Sequence, residues 1–432
     1  MQYAAEDERR HQEAQDTASG PAGDTQLVRN IPDSAPQCPL APAIAFGDTL
    51  RVSEAAVANR ACALCGQTGA PRYQGLADRL LDAGPRSGPV VGGWSLIGCP
   101  GCRLVWLDPM PDRQGNGKGN REGHGEREGE GEGDITSAHD PSHDAREADP
   151  VEESPLHRAV TRGIPAARMG YPEAPATDAS ERLLAGALSW IGPLREIAEQ
   201  AVMWLPVSRC GRLLDVGCGS GVFLERMRDF GWQVSGVERD ARRRAVATSR
   251  LGWDVLESEV AASKGVVVAG LEDERLAPES FDAITLGAVL EHVPDPVETL
   301  RQCEGLLAPG GLLVCITPNG ESLGARSFGS SWLHWDPPRH RQLFGPTSLE
   351  RAARKAGLEV QRVATLGRSA HRVWQASTLL EREGRLPDGS GGDLSPALWL
   401  ESLAFWAFEY VLTRMGKPVG EELLLVAEKA RA

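Results

Sequence analysis

Three groups of residues in this chain have types and spacings that could do chemistry. The first is Asp215-Val216-Gly217-Cys218-Gly219-Ser220-Gly221, with glycines at alternate positions, followed by Glu238 at the end of the next apolar run. A Cβ in such a turn blocks close approach of a ligand, and the turn itself can require positive φ. The spacing is GxGxG, not the GxGxxG of a dinucleotide fold. A carboxylate at the tip of the next strand is set to accept both ribose hydroxyls of an adenosine, so the pattern points to a nucleoside cofactor.

The second group is Cys62-Ala63-Leu64-Cys65 and Cys99-Pro100-Gly101-Cys102. Each pair curls so that two thiolates face one point, and two such knuckles make a closed tetrahedral site of four sulfurs. The gap between the pairs is longer than the roughly 15–20 residues of an ordinary ribbon. Structural zinc is the reading adopted, with a redox pair as the alternative. Nine cysteines, an odd count, fit metal ligands in a reducing compartment better than a disulfide framework. The third group is histidine: His292 after Glu291, and His334 and His340 in Trp332-Leu333-His334-Trp335-Asp336-Pro337-Pro338-Arg339-His340, with Phe344 beyond. Each could serve as a general base; each could equally be a packed residue, His292 at a helix start and His340 bonded to backbone.

These groups need elements to hold them. Arg212 to Val216 reads as a buried strand, Val222 to Phe230 as a helix, and Gln233 to Val237 as a second strand. Further strands are expected at Phe281 to Leu286, Leu312 to Thr317, near Leu358 to Val363, and at Leu423 to Ala427. Strands alternating with helices predict a mostly parallel α/β sheet with right-handed crossovers. Upstream, Leu183, Leu184, Leu188, Ile191, Leu194, Ile197, Ala198 and Val202 recur near one face of a helical run from Ser180 to Val207. An aromatic helix from Leu398 to Met415 carries Trp399, Leu403, Trp406, Tyr410 and Leu412. It reads as a core or dimer-contact helix, with attachment to a membrane surface as the sharper alternative.

The charge of −14 is unevenly spread. Residues 1–60 hold 9 acidic and 5 basic side chains, and residues 112–153 hold 13 and 5, leaving the remainder nearly neutral. Gly115 to Gly133 alternates glycine with Glu, Asn and Arg and cannot bury enough apolar surface to fold. The organisation expected is therefore a disordered tail (1–58), a zinc-ribbon-like module (59–112), a disordered acidic linker (113–153), a helical linker (154–209) and a domain over 210–432 with a helical insertion at 365–420. No stretch reaches the roughly 18–20 apolar residues of a membrane span, and the N-terminus lacks the apolar core of a signal peptide, so a cytoplasmic protein is expected.

Taken together, Asp215-Val-Gly-Cys-Gly-Ser-Gly, Glu238, Ser280-Phe281-Asp282-Ala283-Ile284, Leu290-Glu291-His292-Val293 and Leu307-Ala308-Pro309-Gly310-Gly311 resemble the class I S-adenosylmethionine-dependent methyltransferases. The resemblance runs from about Gly211 to Ala432 and implies a Rossmann-like, seven-stranded sheet. It implies that Gly217, Gly219 and the rest of the loop (Cys218, Gly221) carry the methionine part of the cofactor. Asp215 anchors the loop and reaches the cofactor's amino group through water, Glu238 holds the ribose, and Arg239, Leu271 and Glu272 lie by the adenine. Gly287 ends the fourth strand beside the transferable methyl. Cys99-Pro-Gly-Cys102-Arg-Leu-Val-Trp-Leu-Asp-Pro is similar to an N-terminal zinc ribbon in many such enzymes, some from sugar and polysaccharide pathways, and the Trp…Pro-Arg-His…Phe segment recurs in the same subgroup. Ubiquinone-type O-methyltransferases add a second Glu before the Glu-His pair to bind a divalent metal; Gly287 stands at that position here, which argues against a metal at Glu291 and His292.

The expected activity is methyl transfer to a small-molecule acceptor, a sugar or another biosynthetic intermediate. Two alternatives stand beside it: an RNA methyltransferase gripping RNA with the ribbon, and a non-catalytic cofactor-binding or assembly protein. Residues 61–112 hold four Arg and no Lys, which argues against nucleic acid. Residues 287–290, Gly-Ala-Val-Leu, exclude the Asn/Asp-Pro-Pro-Tyr of an amide or adenine N-methylase, and no Pro-Cys nucleophile for cytosine C5 chemistry is present. The thiols of Cys218 and Cys315 are assigned small hydrophobic roles. A homodimer through 395–415 is the expected assembly.

Overall fold

The computed structural model describes residues 61–77, 92–108, 154–172, 178–206, 210–252, 267–384, 386 and 395–431. The tail (1–58) and the acidic linker (113–153) lie outside the described residues.

Buried runs of Leu, Val and Ile build the main sheet. Its strands are β4 (Arg212–Val216), β5 (Gln233–Val237), β6 (Val267–Val268), β7 (Phe281–Gly287), β8 (Leu307–Pro318), β10 (Glu359–Leu366) and β11 (Glu422–Glu428). They lie in the order β10-β11-β8-β7-β4-β5-β6. β11 is antiparallel to both neighbours, and the pairs among β8, β7, β4, β5 and β6 are parallel. β4 is buried along all but its first residue, as expected of a strand covered on both faces. β8 starts earlier than the apolar run suggests: Leu307 already pairs with Phe281, so Ala308-Pro-Gly-Gly falls within the strand's span rather than before it.

Among the described residues from Ala179 onward, the α-helices are α1 (Ala179–Leu188), α2 (Gly192–Ala201), α3 (Val222–Asp229), α4 (Ala241–Arg250), α5 (Pro296–Leu306), α6 (Leu323–Phe328), α7 (Pro346–Lys355), α8 (Ala370–Glu383) and α9 (Pro396–Arg414). Their starts follow local chemistry: Asp178 and Glu181 form a capping box on α1, and Asp240, Asp295, Ser322 and Ser395 cap α4, α5, α6 and α9. The single helical run expected over Ser180 to Val207 is two helices. Gly192-Pro193 opens α2 afresh, since proline is accommodated in a first turn and not in a helix interior. The break rotates the apolar stripe: Leu188, Leu194, Ile197 and Ala198 pack with Ala159, Val160, Ile164 and Ala185, while Leu183 and Ile191 are exposed.

A second sheet is antiparallel, in the order β1 (Ala70–Ala77), β2 (Gly92–Gly98), β3 (Val105–Asp108), β9 (Gln342–Leu343). Its fourth strand comes from the segment after β8, far along the chain. Cys62, Leu64, Ile97, Leu104 and Trp106 share one apolar core with Leu286, Leu290 and Phe344, so the four-cysteine hairpin and the main sheet are packed together. Both belong to the compact unit Ala56–Ala432. Among the described residues, no helix is long and apolar enough to cross a membrane.

Candidate functional site

The glycine loop leaves β4 with Gly217, Gly219 and Gly221 at φ of +76°, +55° and +80°, the left-handed region that favours glycine. The N–H groups of Gly217 and Cys218 donate to the Val237 carbonyl at 2.7 and 3.0 Å, latching the loop to the end of β5. Glu238 follows that end directly and is buried; its Oε2 accepts from the Gly219 N–H at 2.9 Å and its Oε1 from the Asp240 N–H at 2.8 Å. Its carboxylate and the loop amides thus share one place.

Asp215, near the end of β4, is buried and accepts from the Thr285 hydroxyl at 2.7 Å. Burial pushes its carboxyl up to about 7, against the Thr285 hydrogen bond and with help from the Glu238 charge. The Cys218 side chain turns away into the core: a Cβ on Gly236 would lie 2.6 Å from its Sγ, and burial holds the thiol protonated. Arg239 is exposed, with its carbonyl taking a hydrogen bond from Arg244 at 3.0 Å. Leu271 packs partly buried against the core, and Glu272 is exposed with its carboxylate folded back over Gly270.

β7 ends at Gly287, and the chain enters a tight turn through Ala288 at φ +53°. A Cβ on Gly217 would sit 2.5 Å from Val289 Cγ2, so the glycine loop abuts the turn that carries Glu291 and His292. Glu291 is buried; its Oε2 accepts from Thr317 at 3.0 Å, and Oε1 has no hydrogen-bond partner among the described residues. Burial raises its carboxyl, opposed by the charge of His340.

His292 and His340 meet edge to face, with ring centroids 4.8 Å apart. The Nδ1 of His292 lies 3.1 Å from the Arg339 carbonyl and that of His340 2.7 Å from the His334 carbonyl. A carbonyl only accepts, so each Nδ1 carries the hydrogen and each neutral ring presents Nε2 as its lone-pair nitrogen. Burial, then the charge of His292, holds His340 below the ordinary histidine value. His334 stands apart in role: it packs on the Trp332 ring, its Nε2 is buried without a partner, and burial brings it down to about 3. One donor atom each from Glu291, His292 and His340 lie within 4.8 Å of one another, so the trio could move a proton or hold a cation.

The four cysteines also converge. Cys62 and Cys102 have sulfurs 3.4 Å apart, Cys65 and Cys99 3.3 Å, and all four lie within 4.8 Å of one another. Tetrahedral ligands on zinc–sulfur bonds of about 2.3 Å stand about 3.8 Å apart, which this set can meet. Each knuckle closes on its own backbone, Gly66 N–H to the Cys62 carbonyl at 2.8 Å and Arg103 N–H to the Cys99 carbonyl at 3.0 Å.

Several residues of this region went unread in the sequence. Gln342, buried, donates from Nε2 to the Leu290 and Val293 carbonyls at 3.0 and 2.7 Å. Glu421, fully buried, accepts from Trp332 Nε1 at 2.8 Å, Ser322 Oγ at 3.1 Å and the Gly324 N–H at 2.7 Å. A lone Gln or Glu carries no pattern; a Trp whose indole needs a buried acceptor was the one signal available.

The sequence profile of a methyltransferase-domain family matches residues 181–363. The ubiquinone biosynthesis O-methyltransferase of Pseudomonas aeruginosa (strain LESB58) is 34% identical over 184 residues, covering 40% of this chain and 77% of that protein. The enzyme of the same name from Nitrosospira multiformis is 36% identical over 159 residues, 35% of this chain and 64% of its own. Among solved structures, an S-adenosylmethionine-dependent methyltransferase from Mesorhizobium loti aligns over 54% of this chain and 98% of its own, with 18% identity and a TM-score of 0.35. Phosphoethanolamine N-methyltransferase 2 from Haemonchus contortus, in complex with S-adenosyl-L-methionine, aligns over 57% and 60%, with 16% identity and a TM-score of 0.34.

Proposed function

The chain belongs to the class I S-adenosylmethionine-dependent methyltransferases, and from that we propose that it methylates a hydroxyl of a small biosynthetic intermediate, with His292 and His340 as the proton-accepting pair. The observation that carries this reading is the meeting of the two imidazoles, ring centroids 4.8 Å apart, where the turn that carries His292 abuts the glycine loop. S-adenosylmethionine supplies an electrophilic methyl group. The chain's own residues do the rest. Glu238, Asp215 and the loop from Gly217 to Gly221 hold the cofactor, Arg239, Leu271 and Glu272 flank its base, and Gly287 leaves room beside the methyl. As the acceptor oxygen is alkylated its proton passes to Nε2 of His292 or His340, both lone-pair acceptors in the tautomer described. Alignment of the acceptor against the methyl is the larger catalytic need, and the wall formed by Trp332 to His340 supports it.

The name O-methyltransferase in the relatives supports a hydroxyl acceptor. Sugars are members of that class. We assign the four cysteines to structural zinc, supported by their sulfur spacing. On α9, Leu398, Ser402, Phe405 and Glu409 are buried while Trp399, Leu400, Phe408 and Val411 are exposed, with exposed Met415 just beyond the helix end, and we assign these exposed apolar residues to contact between two copies. A dimer in sedimentation that Phe408→Glu dissociates supports this; a wild-type monomer rejects it.

The reaction is tested with S-adenosylmethionine labelled in its methyl group, offered small hydroxylated acceptors, sugars and RNA in parallel. Label in a small hydroxylated product supports the reading. Label only in RNA overturns the acceptor class. Cofactor binding with no transfer to any acceptor, and His292 and His340 replaceable without loss of function, would favour a non-catalytic protein.

A further inference from the structure

We propose that Gln342 is a positioning residue that couples the four-cysteine hairpin to the histidine pair, so that the hairpin is a structural wall of the methyl-transfer site. The inference rests on the reading of His292 and His340 given above.

The turn from Leu290 to Val293 carries Glu291 and His292 and lies outside the named helices and strands. Its carbonyls are met from one direction. Gln342 Nε2 donates to the Leu290 and Val293 carbonyls, while the backbone N–H groups of Arg341 and Gln342 donate to the Glu291 carbonyl at 2.9 and 3.3 Å. Two adjacent residues therefore satisfy three carbonyls of one short turn. A buried carbonyl left without a donor is costly, so the turn is held where Arg341 and Gln342 stand.

Those two residues are held in turn by the hairpin. Trp106 pairs with Gln342 and Val105 with Leu343, and the Leu107 N–H donates to the Arg341 carbonyl at 3.0 Å. A strand as short as β9 has little stability of its own and takes its register from its partner. That partner, β3, begins at Val105, just after the second knuckle, and the Cys99 N–H is bonded to the Leu104 carbonyl at 2.8 Å. The path from the sulfurs to His292 is thus one knuckle, one strand pairing and the adjacent residues Arg341 and Gln342. His340, just ahead of Gln342, is carried on the same segment, so both histidines move with it.

The test uses the full chain with 13C-labelled histidine, so that imidazole resonances report the site without any acceptor. Gln342→Leu removes both side-chain donors at similar volume, and Cys102→Ser breaks the four-sulfur set. The expected result for Gln342→Leu is retained zinc, unchanged S-adenosylhomocysteine affinity, displaced His292 and His340 resonances, and a kcat lower by roughly 10–100-fold, by analogy with the outer-shell partners that orient metal ligands. For Cys102→Ser the expectation is lost zinc and the same displaced resonances. The double variant should be no worse than the worse single one, because both act through one contact path. Where Gln342→Leu fails to fold, withdrawal of zinc from wild type by a chelator should displace the same two resonances. Zinc loss with both resonances and kcat unchanged would overturn the coupling. So would losses in the two variants that simply multiply. Displaced resonances in a protein that methylates no acceptor would leave the coupling standing and reject the catalytic reading instead.

Discussion

His292 and His340 stand edge to face with ring centroids 4.8 Å apart, each anchored through Nδ1 to a carbonyl of the Trp332–His340 segment. The turn after the fourth core strand and the loop after the fifth have therefore been brought to one point. Anchoring through Nδ1 leaves the same nitrogen, Nε2, as the basic one in both rings.

The pH dependence of turnover follows. Burial, and then the charge of His292, holds His340 below the ordinary histidine value of 6.5. The ring is a base only when neutral, so where His340 takes the proton kcat should stay level as pH falls past 6.5 and decline only on further acidification. Turnover measured across pH checks this; a decline that begins above 6.5 would contradict it.

Cofactor affinity should carry a separate signature from Asp215, whose carboxyl is pushed up to about 7 chiefly by burial. Its charged form favours a cationic amino group, so S-adenosylmethionine should bind more tightly as pH rises through 7, and Asp215→Asn should flatten that dependence. Calorimetric titration on either side of neutrality reads both.

The contact between Gly217 and Val289 gives a stability test. Gly217 has φ +76°, and an added Cβ would lie 2.5 Å from Val289 Cγ2. Gly217→Ala is expected to cost about 1–3 kcal/mol in chemical denaturation. Val289→Ala in the same chain should relieve the steric part and leave the backbone part.

A second pH effect comes from a pair of buried acids, Glu409 and Glu421. Glu409 on α9 accepts from the Glu421 N–H at 3.1 Å, both side chains are fully buried, and burial together with the Glu421 charge raises the Glu409 carboxyl far above its ordinary 4.5. Glu422, in an ion pair with Arg368, is a further like charge near it. The native state then holds a proton that the unfolded chain has released, so stability falls as pH rises above 4.5. Glu409→Gln, which mimics the protonated acid, should raise the midpoint of thermal unfolding at neutral pH and flatten its slope with pH.

Much of the main sheet was legible because its strands are buried on both faces and read as unbroken apolar runs: Arg212 to Val216 and Gln233 to Val237 fall where the pattern set them. The glycine loop with Glu238 and the paired cysteines were legible because their spacing has a chemical meaning. The β3–β9 pairing was not, since Gln342 and Leu343 lie on the far side of most of the main sheet's sequence from Val105, and so short a strand carries no periodicity. The division of the Ser180 to Val207 run was readable in Gly192-Pro193, but the apolar spacing outweighed it. The acid at Glu421 that holds Trp332 is a tertiary partnership, for which a single sequence has no local sign.

The proposed function makes cofactor binding and proton acceptance separate tasks, the first at Glu238 and the glycine loop, the second at His292 and His340. Single-turnover methyl transfer from labelled S-adenosylmethionine, with cofactor affinity measured on the same preparations, tests it directly. His292→Ala together with His340→Ala is expected to lower the transfer rate by roughly 10²–10⁴-fold with cofactor affinity unchanged. Undiminished transfer by that double variant would contradict it.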